Sequence, residues 1–230
     1  MISTNPVQPN LIKNEPLSGI PVYYHRCPSC DFIFTTHCDN WTPEEFRRNI
    51  YNDRYIECDP FFVESRPMGI AKWFETWFSP SEKLKILDFG SGGGMFGAYL
   101  NNQGFDVVSY DPFLQRQCSP PSLGGFDLVV AAEVVEHSHT PLQTFKECMS
   151  FLKKDQPTLF VFTTMMTPVI PEELKHNLGA YWYAGPRNGH VSLFSEKTIK
   201  LIAEKNDAFY VAGSAVGEHA SLGFFFFRRF

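Results

Sequence analysis

The sequence predicts an α/β fold: a doubly wound, mostly parallel sheet that closes with a C-terminal antiparallel hairpin. Three observations predict it. From residue 84 onward, short apolar runs alternate with helix-length segments, the pattern of strands joined by crossover helices. One of these runs, Lys85-Ile-Leu-Asp-Phe89, passes into the glycine-rich Gly90-Ser-Gly-Gly-Gly94, as a strand does when it turns tightly into a helix. The chain ends on two apolar runs, 209–216 and 222–228, too close together for a crossover and therefore paired antiparallel.

Each element follows from local chemistry. Residues 1–21 are polar and proline-rich, and the reading is a disordered tail. Residues 22–83 form an N-terminal knuckle with a helical cap. The knuckle is a small β-hairpin over 22–40 around Cys27-Pro-Ser-Cys30. Thr42-Pro-Glu-Glu then opens a helix, with Thr at the N-cap, Pro at the first position and Glu at the third; Phe46 and Ile50 share its inner face. A second helical segment near 68–78 carries Trp73, Phe74, Trp77 and Phe78. Residues 84–230 make the main domain: strand Leu84–Phe89, helix 94–103, strand Asp106–Tyr110, strand Leu128–Ala132, helix 141–153, strand Thr158–Thr163, helix 195–205, and the closing hairpin. The Leu-Gly-Phe-Phe-Phe-Phe run at 222–227 reads as an inner strand.

Bulk properties narrow the function. A length of 230 residues suits one larger domain with an appendage, and 43% hydrophobic residues with 23 phenylalanines suit an aromatic-rich core. A formal net charge of −5, with no run of Lys or Arg, argues against a nucleic-acid surface. The first residues lack the basic start and apolar stretch of a secretory signal, and no apolar run is long enough to span a bilayer. Six cysteines in that setting fit thiols or metal ligands in a reducing cytoplasm.

The strand-to-helix turn carries the chemistry. Asp88 stands at the strand end and Gly90, Gly92 and Gly94 follow, with Ser91 between. Gly92, Gly94 and Gly97 also satisfy Gly-x-Gly-x-x-Gly, the dinucleotide fingerprint, with Asp111 about 20 residues on. The registers separate the two readings. A dinucleotide loop takes its first glycine directly off the strand; here that is Gly90, whose third partner would be Met95. Starting from Gly92 leaves Asp88 without work. The Asp88-x-Gly-x-Gly-x-Gly94 pattern instead resembles the nucleotide loop of class I S-adenosylmethionine (SAM) dependent methyltransferases, whose cofactor carries an ammonium and a sulfonium for an acid to face.

That resemblance implies a Rossmann-like sheet of about seven strands, here slightly reduced, with SAM at its carboxyl edge. It assigns Asp88, the loop Gly90, Ser91, Gly92 and Gly94, and Glu133 to the cofactor, with Asp111 at the end of the next strand accepting from both ribose hydroxyls beside Pro112. The segment Phe126-Asp-Leu-Val-Val-Ala-Ala-Glu-Val-Val-Glu-His137 resembles the strand-four region of small-molecule methyltransferases, including the ubiquinone-pathway O-methyltransferases. There Glu133 underlies the methionine moiety and His137 stands at the cleft mouth. His137 can act as a base, join Glu133 and Glu136 around a divalent ion, or be structural. One departure stands out: 113–125 is short and Pro/Ser-rich, with no acid between Asp111 and Asp127. The third strand of the family sheet is abbreviated or missing there, and so is the acid that would contact adenine.

Two further constellations remain. Tyr181-Trp-Tyr-Ala-Gly-Pro-Arg-Asn-Gly-His190 lies where this fold commonly lids the acceptor pocket, making His190 a second candidate base and Arg187 a candidate substrate contact. Cys27 and Cys30 are spaced to share a structural zinc, with His25, His37, Cys38 or Cys58 available to complete it. Arg66 and Tyr51–Tyr55 lie before the first sheet strand, where the family folds over the cofactor. The implied activity is methyl transfer from SAM to a small-molecule acceptor, O-methylation favoured. A non-catalytic SAM-binding or scaffold relative and an NAD-dependent oxidoreductase are the alternatives.

Overall fold

The computed structural model describes residues 19–113, 121–167, 181, 183–216 and 221–228. Most of the expected disordered tail (1–18), residues 114–120 of the Pro/Ser-rich stretch and Trp182 of the lid lie outside the described residues.

The N-terminal elements are β1 (Tyr24–Arg26), β2 (Ile33–Thr35), α1 (Pro43–Asn49), α2 (Tyr55–Cys58) and α3 (Ser65–Phe74). Helix α1 has the expected capping box: Thr42 Oγ1 accepts from the Glu45 N–H at 3.3 Å, and Glu45 accepts from the Thr42 N–H at 2.7 Å. Phe46 and Ile50 are buried beneath it. Helix α3 runs earlier than the 68–78 expected. Pro67 is tolerated within a first turn, and Phe78 is followed by Ser79, held extended before Pro80.

The main sheet has β3 (Lys85–Phe89), β4 (Asp106–Tyr110), β5 (Leu128–Ala132), β6 (Leu159–Thr164), β8 (Ala208–Val216) and β9 (Ser221–Arg228) in the order β4-β3-β5-β6-β9-β8. The first four are parallel, and β9 runs antiparallel between β6 and β8. The terminal hairpin and the inner phenylalanine strand are as expected. The strand number is not: among the described residues the sheet has six strands rather than about seven. Asp111 to Phe126 leaves too little chain for a crossover helix and another strand.

Helices lie on both faces. On one, α3 and α4 (Met95–Asn102) pack Ile70, Phe74, Phe96 and Leu100 against Ile86, Leu128 and Val161. On the other, α5 (Pro141–Ser150) and α6 (Glu196–Lys205) pack Phe145, Met149, Ile199 and Ile202 against Leu87, Val129, Phe160 and Phe162. Alternate residues of β3 therefore serve opposite cores, so its side chains are buried on both sides. Burying one such phenylalanine contributes about 2–3 kcal/mol.

Strand β3 leads through α4 to β4 on one side and is flanked by β5 on the other. The carboxyl ends of β3 and β5 thus bound the crevice where the strand order reverses, the usual ligand position in such sheets. A second sheet stands beside it. Strand β1 pairs with β2, and β2 with β7 (Ser192–Leu193), which arrives from the segment after β6. The N-terminal hairpin and the region expected to act as a lid are therefore one structure.

Candidate active site

The glycine-loop side of the crevice is built largely from backbone. Gly90, Gly92 and Gly94 all have φ in the left-handed region, at 73°, 50° and 74°. The Gly90 N–H donates to the Tyr110 carbonyl at 2.8 Å, which ties the loop to the end of β4. A Cβ at Gly92 or Gly93 would meet nothing within 4 Å, so this lip faces open space. Gly97 is needed for a different reason: a Cβ there would lie 2.2 Å from Ser109 Oγ and 3.3 Å from Val107 Cγ1. Its absence lets α4 settle directly on the ends of β3 and β4.

Asp88 lies beneath this loop, 2% exposed, and accepts from Ser109 Oγ at 3.0 Å. Burial pushes its carboxyl up to about 7, against the opposing pull of Ser109. Asp111 stands at the lip. One oxygen accepts from the Gly92 N–H at 2.9 Å and the other from the Phe113 N–H at 2.8 Å. This acid therefore joins the glycine loop to the chain that passes Pro112.

Opposite this lip, Glu133 follows β5 with φ at 55°, a conformation a non-glycine residue holds only where its surroundings impose it. Thr163 on β6 imposes it: the Glu133 N–H donates to the Thr163 carbonyl at 3.1 Å, and Thr163 Oγ1 donates to Glu133 Oε1 at 2.8 Å. The turn aims the next residues into a closed cluster. Glu136, His137 and His190 offer ligand atoms that all lie within 4.8 Å of one another, the one such group of three among the described residues.

The cluster is dry. Glu136 is fully buried and His190 only 8% exposed. Burial, with the nearby Glu133 charge, pushes the Glu136 carboxyl up to about 8. Burial lowers His190 to about 4, and burial with the neighbouring His190 lowers His137. Both imidazoles are therefore neutral at pH 7. The His190 ring places Nδ1 2.8 Å from the Tyr183 carbonyl; a carbonyl only accepts, so Nδ1 carries the proton and Nε2 keeps a free lone pair. Tyr183 also donates its hydroxyl to Glu136 Oε1 at 2.6 Å. Glu136 Oε2 and His137 Nδ1 are buried without a hydrogen-bond partner. Such orphaned atoms are costly and mark a place where a ligand, proton or ion belongs.

Residues distant in sequence hold this geometry. Arg66 grips Asp59 through two bonds of 2.7 Å, and Asp59 is 4% exposed. The guanidinium faces Glu133 and helps keep both imidazoles uncharged. Tyr24 donates to the His190 carbonyl at 2.6 Å and Tyr55 to the Asn188 carbonyl at 3.2 Å. Gly189, at φ 78°, lets the loop close: a Cβ there would lie 2.8 Å from Tyr51 Oη and 3.0 Å from His137 Nδ1. Tyr51 and Phe113 give the cleft an aromatic wall beside His137.

The knuckle is separate from this chemistry. Backbone N–H groups of Cys30 and Ser29 hold the Cys27 thiol below its ordinary value, as suits a thiophilic ion. Asp31 takes φ 62° and is anchored by Arg26 at 2.6 Å. Yet none of His25, His37, Cys38 or Cys58 comes close enough to form a group of three ligands with the pair, so a four-ligand zinc site is not completed from these residues. The Cys30 carbonyl instead accepts from Ser195 Oγ at 2.6 Å and Thr198 Oγ1 at 2.8 Å, docking the knuckle on the start of α6.

The structure thus gathers Asp88, Gly90–Gly94, Asp111, Pro112 and Glu133 around one crevice and brings His137 and His190 into ring contact, centroids 5.0 Å apart. It adds Asp59 and Tyr183, which the sequence reading did not single out, and draws Glu136 into the centre. No local pattern marks Tyr183 or Asp59, since each acts through a partner far along the chain.

Comparison with known proteins agrees with this architecture. Residues 62–211 match the family model described as a methyltransferase domain. The bovine mitochondrial ubiquinone biosynthesis O-methyltransferase is 33% identical over 160 residues, 55% of this chain and 42% of that protein; the human protein is 30% identical over 156 residues. The chain spans less than half the length of these curated relatives. Among solved structures, the 1,6-didemethyltoxoflavin-N1-methyltransferase of Burkholderia thailandensis, with bound 1,6-didemethyltoxoflavin and S-adenosylhomocysteine, superposes with a TM-score of 0.59 at 14% identity, covering 90% of this chain and 99% of that one. With the glycine loop, the switch point and the family match in agreement, the chain belongs to the methyltransferase-domain family.

Proposed function

We propose that the protein transfers the methyl group of SAM to a small-molecule acceptor, with a hydroxyl as the favoured target, and releases S-adenosylhomocysteine. Asp88, the loop Gly90, Ser91, Gly92 and Gly94, Asp111, Pro112 and Glu133 hold the cofactor, with Asp111 at the ribose. SAM supplies an already activated methyl group, so the chain's work is alignment, exclusion of water and handling of the acceptor proton.

The observation that carries this reading is the buried Glu136–His137–His190 cluster beside the crevice. His190, fixed with its proton on Nδ1, presents Nε2 as a neutral base of a kind that can take a proton from an acceptor hydroxyl. Tyr51 and Phe113 favour a flat, aromatic acceptor. The O-methyltransferase relatives support oxygen as the target, and the five described cysteines, all free thiols, suit a reducing compartment such as the cytoplasm.

A second reading of the same residues rests on the close approach of their ligand atoms. One carboxylate oxygen and two imidazole nitrogens within 4.8 Å form a donor set for a divalent cation. A bound cation would supply Lewis acidity to the acceptor oxygen, while the residues themselves would orient it.

Turnover separates these from a binding-only role. Purified protein incubated with SAM and a panel of phenols and catechols is expected to release S-adenosylhomocysteine with at least one acceptor, and His190→Ala to abolish it. Chelator sensitivity favours the cation. Tight SAM binding without turnover on any acceptor, with or without added divalent ions, would oppose the reading.

A further inference from the structure

Tyr183 touches both ends of the cluster. Its hydroxyl donates to Glu136 Oε1 at 2.6 Å and lies 3.2 Å from both Thr164 Oγ1 and the Met165 N–H. Its carbonyl accepts from His190 Nδ1 at 2.8 Å, and its ring lies against the His190 ring with centroids 4.2 Å apart. The residue is 3% exposed, so no water competes for these bonds. Glu136 is held from a second direction as well, since its carbonyl accepts from the Val191 N–H at 2.9 Å.

We infer that Tyr183 is a positioning residue for the acceptor side of the site. It occupies Oε1 of Glu136 so that Oε2 alone is offered to the imidazoles, and it holds His190 as the Nδ1–H tautomer with Nε2 toward the acceptor. The inference rests on the proposed role of the cluster and adds to it the reason both groups face one point. The buried, unpartnered Oε2 and His137 Nδ1 are what such a clamp leaves behind: polar atoms kept free because their neighbours are bound elsewhere. Without the clamp a buried carboxyl would turn to satisfy both oxygens.

The test is steady-state kinetics of the full chain with SAM and an acceptor that wild type turns over, beside calorimetry with S-adenosylhomocysteine. In Tyr183→Phe, which keeps the ring and the carbonyl but not the hydroxyl, kcat is expected to fall about 10- to 100-fold, with the KM of the acceptor and the S-adenosylhomocysteine affinity within about twofold. If Tyr183→Phe does not fold, 3-fluorotyrosine at position 183, which keeps the donor, is expected to retain wild-type kcat, whereas 4-fluorophenylalanine there, which lacks it, is expected to show the loss. Wild-type kcat in a folded variant that lacks the hydroxyl, while His190→Ala is inactive, overturns the inference. Failure of the acceptor reading is distinguishable from this, since it would appear as full activity in His190→Ala.

Discussion

The two lips of the crevice are made differently. The lip proposed for the cofactor comes mostly from one stretch of chain, Lys85 to Phe113, and most of its partners are backbone atoms: Gly90 on Tyr110, and Asp111 on Gly92 and Phe113. The lip proposed for the acceptor is assembled from at least four segments: Tyr24 on the first hairpin, Asp59 and Arg66 near α3, Glu136 and His137 after β5, and Tyr183–His190 after β6. Backbone recognition suits a ligand common to a whole fold family. Side chains drawn from separate segments can be exchanged one at a time, and that is where acceptor choice can vary without disturbing the cofactor.

If the lips are independent in this way, substitutions should divide by function. The largest effect is expected at the cluster. Glu136→Gln and His190→Ala should lower turnover about 100- to 1,000-fold while leaving S-adenosylhomocysteine affinity within about twofold, read by steady-state kinetics beside calorimetry. Asp111→Ala should act on the other lip, weakening cofactor binding about 10- to 100-fold through lost charge-assisted hydrogen bonds. A substitution that impaired both properties equally would break the comparison.

Gly97→Ala tests how the cofactor lip is packed. The added methyl meets Ser109 Oγ and Val107, and the expected cost is about 1–3 kcal/mol, read by denaturant unfolding.

The electrostatics of the lips should appear as a pH dependence of stability. Asp88 and Glu136 have folded values near 7 and 8, above their unfolded values. Their contribution is present at low pH and is lost as pH rises through those folded values. His137 and His190 are shifted down, so their neutral forms support the fold above the ordinary histidine range and lose that support as pH falls below it. Between the carboxylate and histidine ranges the two trends oppose each other. Above about pH 6.5 the acids act alone. The unliganded protein should therefore lose thermal stability between about pH 6.5 and 8, and Glu136→Gln should flatten part of that fall. The smallest effect belongs to Thr42→Ala, far from either lip. Loss of its cap should lower the melting midpoint by about 2–4 °C and leave SAM binding unchanged.

The same contrast explains how much was legible in the sequence. Asp88, Gly90–Gly94 and Asp111 could be read directly because a strand, a tight turn and a helix start are encoded by neighbours. Thr42 and Glu45 announced their capping box for the same reason. The acceptor lip was legible only in pieces. His137 and His190 could be suspected from their places after β5 and β6. Their contact depends on β7 pairing with the N-terminal hairpin, and a two-residue strand such as Ser192–Leu193 has no periodicity to detect. Tyr183 and Asp59 are ordinary residues until the fold brings Glu136 and Arg66 to them. The about seven strands expected for the sheet came from the family pattern, whereas the short run from Asp111 to Phe126 already argued for fewer.

The most direct measurement is calorimetric titration of S-adenosylhomocysteine into wild type, Asp111→Ala and Glu136→Gln. Micromolar binding in wild type, lost in Asp111→Ala and retained in Glu136→Gln, is the predicted result. Absence of binding to folded wild type, or binding indifferent to Asp111, would contradict the assignment of this crevice to the cofactor.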